Sequence, residues 1–144
     1  MNAKEVTRES LENLLNFLKE NKLPYKDICL GNNLFVGYYD EQGNLIGSGG
    51  LEFYDRFALL RSIAVSNSQR GISIGTSIVT DLLSRAKSKS VAEVYLLTET
   101  AHDYFLKFGF NDIDRTSVPA KVQKSTEFSS VCPSSAACMA VKLK

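Results

Sequence analysis

Histidine occurs once in these 144 residues and cysteine three times, and neither sign of charge is in excess, with seventeen Lys and Arg against sixteen Asp and Glu. Each shortage excludes something. One histidine and no cluster at metal-ligand spacing argue against a zinc site. Cys29, Cys132 and Cys138 are odd in number and lack CxxC spacing, so a disulfide framework is not expected. A net charge of +1 supplies no field to attract nucleic acid or a membrane surface, and neither is expected as a partner. No stretch approaches the roughly 18 apolar residues of a spanning helix. The opening "MNAKEVTRES" has no apolar core of signal-peptide length, so a cytoplasmic location is expected.

What is present is an ordinary globular composition, 44% apolar and 23% charged, long enough to bury a core as one domain over residues 1–144. Leu11, Leu14, Leu15 and Leu18 recur at i, i+3, i+4, i+7 and predict an amphipathic helix over about residues 7–21. Thr7 reads as its N-cap, and Pro24 as its stop. Residues 33–40 and 44–55 are β-rich around an "EQGN" turn, and "FALLRSIAV" (57–65) completes an antiparallel meander. Ile78, Val79, Leu82, Leu83 and Ala86 predict a second helix over about 75–88. "VAEVYLLT" (91–98) reads as a strand covered on both faces, and a short helix follows, ending at Gly109. Beyond it, "FNDIDRTSV" is expected as a strand, residues 119–124 as a turn of helix, and "CMAVKL" as a last strand. The order gives an α+β domain: a mixed, mostly antiparallel sheet flanked by helices, with helix 75–88 joining strands 57–65 and 91–98 in parallel.

"LLRSIAVSNSQRGISIGTSIV" (59–79) runs a strand into a basic, glycine-punctuated turn at the mouth of a helix. A helix start exposes N–H groups with no intrahelical partner, and its dipole adds partial positive charge. Glycine lets an anion such as a diphosphate approach that backbone, and Arg70 can add a charge-assisted contact. Glycines chosen for turn conformation alone are the other reading.

Together with "VYLLTETAHDYFLKFGF" (94–110), this stretch resembles the GNAT superfamily of N-acetyltransferases, which use acetyl-CoA. Arg70, Ser73 and Gly75 match its Arg/Gln-x-x-Gly-x-Gly/Ala turn, Ser73 standing where the family has its first glycine. Ala101, Tyr104-Phe105 and Gly109-Phe110 match its Ala-x-x-Phe-Tyr-x-x-x-Gly-Phe segment. "DRTSVPAKVQKSTEFSSVCPSSAACMAV" (114–141) is similar to the arsenic-resistance N-acetyltransferase branch. The resemblance implies central parallel strands splayed at a cofactor cleft. It also implies that acetyl-CoA is bound by Ile63, Ala64 and Val65 and by the turn of Arg70, Gly71, Ile72, Ser73, Ile74, Gly75 and Thr76. Thr98 reads either as a polar contact to the cofactor arm or as a capping threonine before the next helix.

N-acetyl transfer needs a neutral amine, a polarised thioester and a stabilised leaving thiolate. Many members use a tyrosine as acid, and Phe105 fills that slot here, with Tyr104 one position away. A thiol of pKa around 8.5 leaves with little help, and an α-amino group near 7.7–8.0 is already partly neutral. A small α-amino acceptor is therefore favoured over a protein lysine. Glu52, inside the apolar "GGLEFY", is the candidate base or ammonium anchor, expected to face water on one side. Arg61 is an arginine inside the apolar "ALLRSIAV", costly there without water or an anion. It reads as a fork for a substrate carboxylate with Arg115 as second contact, or as an internal salt bridge to Glu52 or Asp55. His102 is expected to be exposed at a helix start, and Cys132 to be a buried thiol. The leading expectation is transfer of an acetyl group to a small, amino-acid-like amine; the alternative is a CoA-binding module without catalysis. A homodimer is left open.

Overall fold

The computed structural model describes residues 1–67, 73–128 and 135–143. They group into two compact units, Met1–Glu52 with Arg61–Leu82, and Phe53–Leu60 with Leu83–Lys144.

The first unit opens with a strand, β1 (Asn2–Glu5), that pairs antiparallel with β2 (Leu34–Tyr39), Asn2 opposite Tyr39 and Glu5 opposite Val36. All four β1 residues are exposed, so no apolar alternation marks it in the sequence. Helix α1 spans Leu11–Glu20, three or four residues shorter at its start than its apolar period predicts. Thr7 is not its cap. Ser10 is, its carbonyl accepting from Leu14 N–H, while Thr7 and Ser10 close a turn of their own. The helix ends ahead of Pro24, where Lys22 adopts φ 60° and Leu23 N–H reaches back to the Leu18 carbonyl. Leu14, Phe17 and Leu18 bury one face of α1 against Phe35 and Ala64, and each contributes roughly 1.5–3 kcal/mol.

β2 pairs antiparallel with β3 (Leu45–Tyr54) through a turn organised by Asp40, whose carboxylate accepts from the N–H groups of Gln42 and Asn44. β4 (Phe57–Val65) follows β3 after only Asp55 and Arg56 and lies beside it, so the two run antiparallel. Helix α2 (Ile74–Ser88) buries Ile78, Val79, Leu82 and Ala86. Glycines in β3 make room for it. A Cβ on Gly47 would stand 2.5 Å from Ile78 Cδ1, and one on Gly49 2.2 Å from Leu82 Cδ1. The i, i+2 spacing of the glycines on one sheet face thus matches the i, i+4 spacing of Ile78 and Leu82 on the helix. Tyr38, buried in β2, donates its hydroxyl to Asp81 of α2 at 2.7 Å.

In the second unit β5 (Glu93–Thr98) runs parallel to the start of β4, with Phe57, Ala58 and Leu59 opposite Glu93, Val94 and Tyr95. Its other edge pairs antiparallel with β7 (Ala137–Lys142), which also carries β6 (Asn111–Asp112). Helix α3 (His102–Leu106) precedes Gly109, which takes φ 88°. The strand expected over 110–118 is only two residues long. Asp114 ends it, accepting from the N–H and hydroxyl of Thr116 to cap a 3₁₀ turn, Arg115–Ser117; helix α4 (Ala120–Gln123) follows. Leu59, Tyr95, Val118, Val122 and Cys138 form the core of this unit. The sheet order is β1-β2-β3-β4-β5-β7-β6, mostly antiparallel with the one parallel pair β4–β5. Among the described residues no helix is long and apolar enough to cross a membrane.

Candidate functional site

Arg70, Gly71 and Ile72 of the expected anion-binding turn, and Cys132, lie outside the described residues. Ser73, Ile74, Gly75 and Thr76 are described. The Ser73 carbonyl accepts from Ser77 N–H at 3.1 Å, which makes Ser73 the residue before the helix. Helix geometry then leaves the N–H groups of Ile74, Gly75 and Thr76 without an intrahelical acceptor. The first turn carries no acidic side chain to compete for them. Three donors without an intrahelical acceptor, at the positive end of a fifteen-residue helix, suit an anion.

Ile63, Ala64 and Val65 form the end of β4, where Ser66 N–H is held by the Ile46 carbonyl of β3. The residue before them is unusual. Ser62 has φ 60° inside a strand, a left-handed conformation that costs a residue with a Cβ about 1–2 kcal/mol. Its carbonyl accepts from the hydroxyl of buried Ser48 at 2.8 Å, and its hydroxyl accepts from Arg61 Nε–H at 3.2 Å.

Arg61 has a fully buried side chain, and its fork is closed on the protein's own carboxylates. Nη1 and Nη2 donate to Asp27 at 2.5 and 2.9 Å, and Nη1 also donates to Glu52 at 3.1 Å. The position expected to take a substrate carboxylate is taken by Asp27. The salt bridge to Glu52 weighed from the sequence is present; Asp55 instead pairs with Lys121. Glu52 does not face water as expected: it is 6% exposed and lies in this cluster. Burial pushes the Asp27 carboxyl up, but the hydrogen bonds and charge of Arg61 outweigh that and hold it below the usual carboxylate range. Asp27 was missed in the sequence because it sits in the irregular segment after α1, where no periodicity points to it.

Thr98 accepts from Ala101 N–H at 3.0 Å and so closes the turn ahead of α3, whose own N-cap is Ala101. Arg115 donates to the Ala136 carbonyl at 3.0 Å, next to the start of β7. His102 is partly exposed and joins α3 to β6 through Asp112 at 2.8 Å; hydrogen bonds to Asp112 and then Asp103 raise its pKa. The Cys138 thiol is pushed up to about 11 by burial. Phe105 packs into the core, its ring 5.7 Å from that of Phe110. Tyr104 lies against Phe105 and Phe108, and its hydroxyl is enclosed with no hydrogen-bond partner among the described residues. An enclosed hydroxyl costs stability unless something else bonds it.

Residues 5–110 match the model of the acetyltransferase (GNAT) family. The chain is 34% identical over 85 residues to the amino-acid acetyltransferase of Mycobacterium tuberculosis, a match that covers 58% of this chain and 48% of that protein. It therefore spans about half the length of this curated relative. Among solved structures it resembles Rv2747 of Mycobacterium tuberculosis in complex with CoA and NLQ, at 20% identity and TM-score 0.78 over all of both chains. It also resembles N-acetylglutamate synthase from Neisseria gonorrhoeae with coenzyme A and N-acetyl-glutamate, at 14% identity and TM-score 0.79, over 99% of this chain and 35% of that one.

Proposed function

The chain belongs to the acetyltransferase (GNAT) family, and from that premise we propose that it is a cytoplasmic enzyme that moves the acetyl group of acetyl-CoA to the amine of a small, amino-acid-like molecule. The observation that carries this reading is the family match itself, whose span takes in both the start of α2 and the whole of α3. The residues present suit the cosubstrate. The start of α2 offers three N–H groups without an intrahelical acceptor and no competing acid. Acetyl-CoA supplies a thioester whose carbonyl carbon an amine attacks directly and whose thiolate departs.

In this reading Ile74, Gly75 and Thr76, with Arg70, Gly71, Ile72 and Ser73, hold the diphosphate, and the backbone of Ile63, Ala64 and Val65 lines the acyl arm. Thr98 closes the turn ahead of α3. The leaving thiolate needs little proton help, since a thiol's pKa is near 8.5. An α-amino acceptor loses its proton with little help for the same reason, so the Glu52–Arg61–Asp27 cluster is read as framework for the acceptor side. The amino-acid acetyltransferase relative supports an amino-acid acceptor. The closing segment's likeness to the arsenic-resistance branch adds an arsenic-containing amino acid to the acceptors worth testing.

The test is release of free CoA thiol from acetyl-CoA across α-amino acids, an arsenic-containing amino acid and polyamines, beside thermal stabilisation by CoA, ATP and NAD. Ligand at a hundred times its dissociation constant stabilises a fold by about 2.7 kcal/mol. CoA is expected to raise the melting temperature where ATP and NAD do not, and α-amino acids are expected to be turned over faster than polyamines. No stabilisation by CoA would remove the cosubstrate assignment.

A further inference from the structure

We propose that Ser48 and Arg61 are positioning residues: together they hold Ser62 in its left-handed conformation, and that kink sets the aim of the Ile63–Val65 backbone. The importance of that aim rests on the reading above, in which this backbone lines the acyl arm of acetyl-CoA. The conformation itself is on display. A serine at φ 60° in mid-strand is disfavoured by its own Cβ and persists only where its surroundings over-determine it.

Two side chains do so, one at its carbonyl and one at its hydroxyl. Ser48, fully buried in β3, grips the Ser62 carbonyl, and Arg61 grips the Ser62 hydroxyl. Arg61 is itself immobilised by Asp27 and Glu52, so the clamp reaches from β4 to β3 and to the segment after α1. Ile63 follows directly. In a strand, successive peptide groups point to alternate edges. Relaxing Ser62 to an extended φ would turn every N–H and C=O from Ile63 onward to a new direction, as a one-residue register slip does. A cluster that only staples the fold would leave cosubstrate affinity untouched as long as the protein folded. A clamp on Ser62 would not.

The experiment compares wild type, Ser48→Ala and Ser48→Ala/Ser62→Gly, with Arg61→Lys as a further variant if it folds. Ser48→Ala is expected to raise KM for acetyl-CoA at least fivefold, with kcat per folded molecule within twofold of wild type. Glycine accepts φ 60° without a Cβ penalty, so the double variant should return KM to within twofold of wild type. An unchanged KM in a fully folded Ser48→Ala protein, or a double variant no better than the single, overturns the proposal. A second readout needs no turnover: amide hydrogen exchange at Ile63–Val65 should quicken at least tenfold in Ser48→Ala while β2 amides keep their protection. Unchanged exchange there overturns the clamp. If wild-type protein neither binds nor turns over acetyl-CoA, the cosubstrate reading fails, and the exchange result still decides the clamp.

Discussion

Replacing Asp27 by Asn tests the buried cluster most directly, because it changes one charge and almost no volume. Asp27 and Glu52 have side chains 10% and 8% exposed, and Arg61 none, so all three groups have largely left water. Asp27 accepts two charge-assisted bonds from Arg61, and Glu52 accepts one. Each such bond contributes about 1.5–3 kcal/mol, and removing one partner of a buried pair costs about 3–5 kcal/mol. Glu52 still neutralises Arg61 in the variant, so the expected loss lies at the lower end, about 3 kcal/mol, or roughly 10 °C in melting temperature. The pH dependence carries a sign. Asp27 titrates below the ordinary carboxylate value in the folded chain. Its contribution is therefore complete above the unfolded pKa of about 3.9 and fades as pH falls through the lower folded value. Urea denaturation of both proteins at pH 7 and at points down to pH 3 should show a constant gap above pH 5 that narrows on acidification. A gap under about 1 kcal/mol at pH 7, or one that widens in acid, would refute the assignment of Asp27 as the main partner of Arg61.

Three other substitutions probe separate parts of the molecule. Gly49→Val puts a Cβ 2.2 Å from Leu82 Cδ1 and 2.9 Å from Ile63 Cδ1; overpacking of this kind should cost about 1–3 kcal/mol or more, read from a urea midpoint, and a neutral result would mean α2 does not rest on the β3 glycines. Tyr104→Phe should hold or raise the melting temperature, because an enclosed hydroxyl with no bond to a described residue is removed; a clear drop would show that the hydroxyl is bonded in the folded chain. His102→Gln should destabilise the fold more at pH 6 than at pH 9: the raised pKa means that the stabilisation is full below the unfolded value near 6.5 and is lost as pH rises through the folded one. Melting curves at the two pH values check it, and a larger effect at pH 9 would exclude the pair with Asp112.

The elements legible in the sequence were those whose pattern is local. The apolar period of α2 and the run of β4 were read to within one residue of their observed bounds, 74–88 and 57–65. The parallel β4–β5 pair followed from the crossover helix between them. β1 was invisible because an edge strand exposed at every position needs only a partner's backbone, and backbone pairing leaves no trace in side-chain choice. The start of α1 was misplaced because Thr7, Ser10 and the residues between them can cap in more than one way, and the bond Thr7 N–H makes to Ser10 settles it.

The same distinction runs through the candidate site. The half of it proposed to hold an anion is a short segment, and the turn chemistry of Ser73 to Thr76 can be read where it stands. Its other half is assembled from Asp27, Ser48, Glu52, Arg61 and Ser62, brought together by strand pairing and by a loop with no periodic signal. From the sequence, Arg61 was an isolated charge in an apolar strand, and two solutions were open: an external anion or an internal one. Desolvation alone does not choose between them, since either satisfies a buried guanidinium. The choice depends on whether a carboxylate elsewhere in the chain can reach it, and Asp27, thirty-four residues away, does so with both oxygens. That answer also changes the role proposed for the arginine. A guanidinium that spends its fork on Asp27 and Glu52 retains Nε–H for Ser62, and in the proposed reading it acts through the shape of β4 rather than through a bond to substrate. On that reading an Arg61 variant that folds should shift cosubstrate affinity before it shifts acceptor preference; the reverse order would return Arg61 to the acceptor side.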